Sequence, residues 1–184
     1  MPENICPVWV GYLLSNPLRK LIQNPDTILS PFIKPGMMVA DIGCAMGFFS
    51  IPMGQMVGHG GKVICLDVQE KMLARLEKKA KDKKLNQRMD YRLCQANRLE
   101  LEENEVDFIC AFAVVHEVPD PSLFFQQAAS ALKPGGKLLL CEPLGHVSRA
   151  NFDEELSLAK TWGLGVIERP EIQKSHAAVL QQIQ

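Results

Sequence analysis

Val39-Ala40-Asp41-Ile42-Gly43-Cys44-Ala45-Met46-Gly47 reads as an apolar strand that delivers one acid and then a run of small residues. Small residues let a backbone approach a ligand closely, and a helix starting just beyond them presents amides with no partner of their own. The stretch is therefore suited to cradling a ligand at the carboxyl end of a strand. A dinucleotide fingerprint would need glycines at 43, 45 and 48, where the chain has Gly43, Ala45 and Phe48. Phe48 is too large for the close helix packing that the third glycine provides, which disfavours a nicotinamide-dependent reductase.

Outward from this loop, short apolar runs alternate with helix-period stretches, the pattern of a parallel sheet built from βαβ units. A first strand is expected over residues 37–42 and its helix over about 47–57, with Pro52 a reason to doubt that helix's straightness. A second strand follows at 62–67, then a helix that places Val68, Met72, Leu73, Leu76 and Ala80 on one face. Strands are expected at 90–95 and 106–113. Asp120 and Pro121 supply an N-cap acceptor and a first helical residue that lacks the orphan amide, and the helix should run to about Leu132. Lys133-Pro134-Gly135-Gly136 stops it ahead of a strand at 137–141. Residues 151–162 form one more amphipathic helix, and 166–172 and 175–183 are too close in sequence for a crossover, so they should close an antiparallel hairpin.

The chain has 184 residues and 47% hydrophobic content, enough for one core, and a single domain over 1–184 is expected. Residues 1–36 stand apart as an extension in which Trp9, Tyr12 and Leu13 suit either a lid over the site or an amphipathic segment docked on the sheet edge, and 37–184 form the core. Twenty basic against twenty-one acidic residues give a net charge of −1, so no overall field attracts nucleic acid or an anionic membrane. The lysine run at 78–84 falls on the polar face of a helix and reads as solvated. The apolar stretch at 8–14 is too short to span a bilayer, and Met1-Pro2-Glu3-Asn4 has no basic cluster, so no membrane insertion or export is expected. Cysteines at 6, 44, 65, 94, 110 and 141 never take Cys-x-x-Cys spacing and read as small buried hydrophobes of a reducing, cytoplasmic compartment. Histidines at 59, 116, 146 and 176 lack ligand spacing, and no metal is expected.

Asp41 to Gly47 also resembles the Asp-x-Gly-x-Gly-x-Gly loop of class I S-adenosylmethionine-dependent methyltransferases, with Ala45 in place of the middle glycine. Asp67, ending the second strand, matches that family's ribose-binding acid. Gln95-Ala96 stands where relatives often carry the Asp-Ala pair that contacts adenine. Residues 107–117 look like the family's fourth strand and following loop, and 132–136 like its turn into the fifth. The resemblance covers about 36–143 and is nearest to small-molecule methyltransferases of the quinone-biosynthesis kind. It implies a Rossmann-like, doubly wound, mostly parallel seven-stranded α/β sheet with an antiparallel C-terminal hairpin. It implies S-adenosylmethionine as cofactor, S-adenosylhomocysteine as product, and a small-molecule methyl acceptor. The residues it assigns to the cofactor are Asp41, Gly43, Cys44, Ala45, Gly47, Asp67, Val68, Gln95, Ala96 and Ala111.

Methyl transfer from a sulfonium is an in-line displacement in which the protein mostly aligns and desolvates, so a catalytic base is optional. For a hydroxyl or phenol acceptor the candidates near the methyl position are His116, Glu117, Glu142 and His146, with His116 and His146 ranked first. The competing reading is a catalytically silent domain that binds the cofactor or its product as a sensor or assembly subunit.

Overall fold

The computed structural model describes Lys20 and residues 22–183; Cys6 and the lid candidates Trp9, Tyr12 and Leu13 lie outside the described residues. Seven strands form one sheet: β1 Met38–Ile42, β2 Lys62–Asp67, β3 Met89–Leu93, β4 Val106–Phe112, β5 Leu132–Pro143, β6 Leu164–Glu168 and β7 Ser175–Gln182. The spatial order is β3-β2-β1-β4-β5-β7-β6. The first five strands pair in parallel, while β7 lies antiparallel to both β5 and β6. The doubly wound sheet and the closing hairpin expected from the sequence are both present.

Strands β1, β2 and β4, with almost no exposed position, need cover on both faces. On one face Ala40, Ile42, Ile64 and Leu138 pack beneath helices Pro121–Ala131 and Arg149–Thr161. On the other, Val39, Val63, Phe108 and Leu139 pack beneath Pro25–Leu29, Ser50–Met56 and Glu70–Asp82. In chain order these helices are α1 Pro25–Leu29, α2 Ser50–Met56, α3 Glu70–Asp82, α4 Pro121–Ala131 and α5 Arg149–Thr161. Phe32, just beyond α1, stacks on Phe108 of β4 with ring centroids 5.7 Å apart. The α4 cap is as expected: Pro121 is the first helical residue and Asp120 Oδ1 accepts the Leu123 N–H at 3.0 Å.

Several boundaries differ from the sequence reading. Helix α2 begins at Ser50 rather than near Gly47, because Ala45 (φ 46°) and Gly47 (φ 81°) are spent on a left-handed turn. Pro52 therefore falls in the first turn, where the amide it lacks has no intrahelical partner to lose. Val68 precedes α3 instead of joining its buried face, and is 39% exposed. Strand β3 stops at Leu93, before Gln95. Strand β5 starts at Leu132: the Pro-Gly-Gly segment bulges within the strand, between the pairs Val106↔Leu132 and Phe108↔Lys137. Asp107 secures that irregularity, its Oδ2 accepting the Met38 N–H at 2.8 Å and the Lys133 ammonium at 2.9 Å. Strand β6 runs from Leu164 only to Glu168, two residues short of Pro170, which has no N–H to give a ladder.

Gly61 turns the chain into β2 where there is no room for a side chain. An added Cβ would meet Met37 O at 2.5 Å and Val57 O at 2.8 Å, both rigid backbone. Gly61→Ala should cost about 1–3 kcal/mol in urea unfolding. Gly145→Ala, where a Cβ meets nothing within 4 Å, should stay within about 0.5 kcal/mol of the parent.

Candidate active site

Strand order reverses between β1 and β4: the chain winds outward through β2 and β3, then returns to the other side of β1. Loops leaving the carboxyl ends of β1 and β4 diverge there and open a crevice, the place where open α/β sheets bind ligands. A cavity occupies that position. Its wall takes Gly43, Cys44 and Ala45 from the loop after β1, Asp67 and Val68 from the end of β2, Gln95 and Ala96 from the segment after β3, and Ala113 and Val114 from beyond β4.

Backbone and carboxylate shape this wall together. Gly43 (φ 70°) has Val114 Cγ2 only 2.9 Å from where a Cβ would lie, so glycine is needed for both its angle and its size. Ala45 is also left-handed (φ 46°), and its N–H donates to Asp67 Oδ2 at 2.9 Å. The other carboxylate oxygen, Oδ1, accepts the Gln69 N–H at 2.9 Å. Burial pushes the Asp67 carboxyl upward in pKa, and the amides of Gln69, Ala45 and Val68 pull it back. From α3, Lys79 donates to Met46 O at 2.9 Å and so ties the far end of the loop. Asp41, 2% exposed, accepts from the Ser50 hydroxyl and anchors the start of α2.

Cofactor fit can be judged from these groups. Each oxygen of a carboxylate has two acceptor positions, so Asp67 can bond the backbone amides beside it and still receive a ribose hydroxyl. Val68 and Met72 offer an apolar bed beside Gln95 and Ala96, matched to a flat base. Burial raises the thiols of Cys44 and Cys94, the latter to about 12, so both stay protonated and poorly nucleophilic beside any activated methyl group.

Most of the sequence candidates for the cofactor meet here: Asp41, Gly43, Cys44, Ala45, Asp67, Val68, Gln95 and Ala96 all border the cavity. Gly47 and Ala111 do not. Gly47 supports the loop from behind, where a Cβ would strike Leu76 Cδ1, and Ala111 is sealed in β4 between Ile42 and Leu140. The sequence reading left out Phe48, Phe49 and Phe112, which form an aromatic wall. Phe49 packs edge-on to Phe48 at 5.1 Å and against Phe112 at 4.5 Å. Phe48 counted in the sequence only as a missing glycine, although an aromatic pair beside a glycine loop is a legible sign of an apolar wall.

The base candidates lie one layer back. His116 sits on the 3₁₀ turn Val115–Glu117, and its Nδ1 contacts Oε2 of Glu142, which is fully buried on β5. Glu142 Oε1 accepts the Val115 N–H at 2.8 Å. That bond to Glu142 raises the His116 pKa, burial opposes it, and the charges of Glu142, Glu117 and Glu155 add to the rise. The His146 ring lies 5.6 Å from His116, centroid to centroid, in the exposed turn after β5. Glu117 reaches the cavity itself. Among the described residues no His, Cys, Asp and Glu cluster could hold a metal, and no helix is long and apolar enough to cross a membrane.

A glycine-type loop after β1, an acid closing β2 and a cavity at the strand-order reversal are the features of a nucleotide-binding Rossmann-like site. The chain belongs to the methyltransferase domain family, whose profile matches residues 40–140. It is 34% identical over 119 residues to a demethylmenaquinone methyltransferase of Oceanobacillus iheyensis, a match covering 64% of this chain and 49% of that protein. It is 31% identical over 130 residues to a ubiquinone/menaquinone biosynthesis C-methyltransferase, UbiE, of Shewanella sediminis, covering 69% and 52%. The chain thus spans about half the length of these curated relatives. Among solved structures, a SAM-dependent methyltransferase from Aquifex aeolicus superposes with a TM-score of 0.87 at 25% identity, covering 97% of this chain and all of that one. The family's cofactor is S-adenosylmethionine, and the cavity residues fit it.

Glu155 on α5 gives this region a pH signature. It is 8% exposed, and its Oε2 has no hydrogen-bond partner among the described residues. Burial and the nearby Glu142 charge lift its pKa to about 8, against an ordinary 4.5, with His116 pulling the other way. The native protein therefore keeps the Glu155 proton over a range in which the unfolded chain has lost it. The stability this confers is full below about 4.5, declines as pH rises, and is gone above about 8. Glu155→Gln mimics the protonated form and removes that slope. Urea unfolding between about pH 5 and about pH 9 should show the variant gaining on the parent as pH rises to about 8 and the difference levelling off above it.

Proposed function

We propose that the chain transfers the methyl group of S-adenosylmethionine to a small-molecule acceptor carrying a hydroxyl on a flat, apolar ring. The observation that carries this reading is the joint geometry of Ala45 and Asp67. One carboxylate shapes the glycine loop through the Ala45 N–H and keeps acceptor positions free for ribose hydroxyls. In this reading Gly43, Cys44 and Ala45 cradle the amino-acid part of the cofactor, and Gln95 and Ala96 meet its adenine. The acceptor side is supported by the wall of Phe48, Phe49 and Phe112, with Glu117 the charged residue near it. The names of the two curated relatives, both of quinone methylation, point the same way.

The sulfonium supplies an activated methyl group, so the chain's own residues align the acceptor, exclude water and take a proton. His116 is the favoured base, because its Nε2 lies 3.9 Å from Oε1 of the cavity residue Glu117; His146 is exposed and less constrained. Cys44, Cys65, Cys94, Cys110 and Cys141 are buried thiols, none of them in a disulfide among the described residues, which supports a reducing, cytoplasmic setting. Neither His116 nor His146 lines the cavity, which favours one second reading: a cofactor-binding domain with no acceptor of its own.

Thermal unfolding with S-adenosylmethionine, S-adenosylhomocysteine or NADH tests the cofactor. Binding at about a hundredfold over Kd adds roughly 2.7 kcal/mol, a rise of roughly 5–11 °C for a chain of this size. The rise is expected with the two sulfur nucleotides alone; a rise with NADH alone would refute the reading. Asp67→Ala should weaken cofactor binding by about 1.5–3 kcal/mol, seen by calorimetry, and unchanged affinity would remove Asp67 from the site. Radiolabelled methyl transfer to naphthohydroquinone is expected from the intact chain. Tight cofactor binding without transfer to any phenol, enol or amine would favour the second reading.

A further inference from the structure

Behind the cavity wall at Val114–Val118 lies a group of titratable side chains drawn from four places in the chain. His116 comes from the 3₁₀ turn, Glu142 from β5, His146 from the turn after β5 and Glu155 from α5. Glu142 is fully buried, and both of its oxygens are engaged on the turn that carries His116: Oε1 with the Val115 N–H at 2.8 Å, Oε2 with His116 Nδ1. A carboxylate only accepts, so in the neutral ring Nδ1 carries the hydrogen and the lone pair is left on Nε2. That nitrogen lies 3.9 Å from Oε1 of Glu117, which borders the cavity.

We propose that Glu142 is the positioning residue of methyl transfer, fixing the His116 tautomer and ring orientation so that Nε2 is the base for the acceptor. The role rests on the methyl-transfer reading given above. Two contacts from one buried carboxylate lock both the backbone and the ring of the turn, which a surface glutamate could not do. The acceptor's O–H, or an acidic C–H, gives its proton to Nε2. The electron pair so released forms the bond to the methyl carbon as the carbon–sulfur bond breaks, its pair staying on sulfur. The imidazolium, stabilised by Glu142, afterwards returns its proton to solvent, and no oxidant or reductant is needed.

The groups that face His116 have separable effects. Glu142 from β5, Glu117 from the same turn and Glu155 from α5 all favour the imidazolium, and burial disfavours it. His146 packs at 5.6 Å. His176 of β7, opposite Glu142 in the register, stacks on Phe152 with centroids 5.3 Å apart. The imidazole should therefore titrate above its ordinary value of about 6.5, and turnover should rise with pH through that midpoint.

Glu142→Gln in the full chain tests the role, with His116 followed by nitrogen NMR and kcat followed against pH using naphthohydroquinone as acceptor. The neutral ring of the parent should be the Nδ1–H tautomer. In the variant the His116 midpoint and the acid limb of kcat should move to lower pH together. The kcat should drop about 100-fold, with KM for S-adenosylmethionine changed less than about twofold. Adding His116→Gln to Glu142→Gln should cost no more than His116→Gln alone. Glu142→Asp, which retains the charge, should keep the acid limb and recover part of the kcat that Glu142→Gln loses; if Glu142→Gln does not fold, the parent's tautomer decides, and a neutral His116 ring carrying its hydrogen on Nε2 would overturn the role. An unmoved His116 titration and pH profile, or losses that multiply in the double variant, would overturn the role. A parent chain that binds cofactor yet methylates nothing would instead overturn the methyl-transfer reading, and is distinguished by failing before any substitution is made.

Discussion

The hydrogen bond from the Ala45 N–H to Asp67 Oδ2 joins the loop after β1 to the end of β2, and the cavity depends on it. A left-handed backbone at a non-glycine residue is unfavourable by itself. Here it is held by a buried carboxylate whose other oxygen fixes the approach to α3 through Gln69. A buried charge is expensive unless it is well bonded, and Asp67 lowers that cost by accepting from the very backbone that would line a ligand. The carboxylate is thus a structural clasp and the proposed ribose acceptor at once.

The rest of the site is arranged around strand ends. Strands β1, β2, β4 and β5 are packed between helices on both faces, which leaves polar side chains to collect where the strands stop. Asp41, Asp67 and Glu142 are the acids at the carboxyl ends of β1, β2 and β5, and each is buried with hydrogen-bonded partners. Asp41 serves α2 through Ser50, Asp67 serves the glycine loop, and Glu142 serves the turn after β4. In each case a rigid strand supplies the acceptor, and the donor comes from a loop, a turn or, for Asp41, the first residue of α2, so the geometry beyond the strand is borrowed from the sheet.

The layer behind the β4 loop adds a different electrostatic environment. His116, Glu142 and Glu155 share a region of low solvent access, where one carboxyl keeps its proton to about pH 8 and the imidazole is favoured in its charged form. Both shifts are upward but differ in cause: burial raises Glu155, whereas the bond to Glu142 raises His116 against its burial. Phe48, Phe49 and Phe112 line the cavity together with Glu117, and Glu117 is the neighbour that connects this wall to His116.

Local pattern was enough to order the strands and helices, because burial on two faces writes near-continuous apolar runs and the helices between them carry 3.6-residue periodicity. The Gly43 loop, the Asp67 strand end and the Asp120 cap were legible for the same reason: each is a short-range requirement for a residue type. Where the chain paired across long distances, the sequence was silent. Inclusion of the Pro-Gly-Gly bulge in β5 depends on Val106 and Leu132 meeting across the sheet, and the exclusion of Ala111 from the cavity depends on its neighbours in β1 and β5. His116 and Glu142 were each visible as polar residues after a strand, but their contact spans 26 positions. Residue type and local spacing determine which groups can bind, turn or cap; only the packed sheet decides which of them touch, because those contacts come from strand order and register rather than from neighbours in the chain.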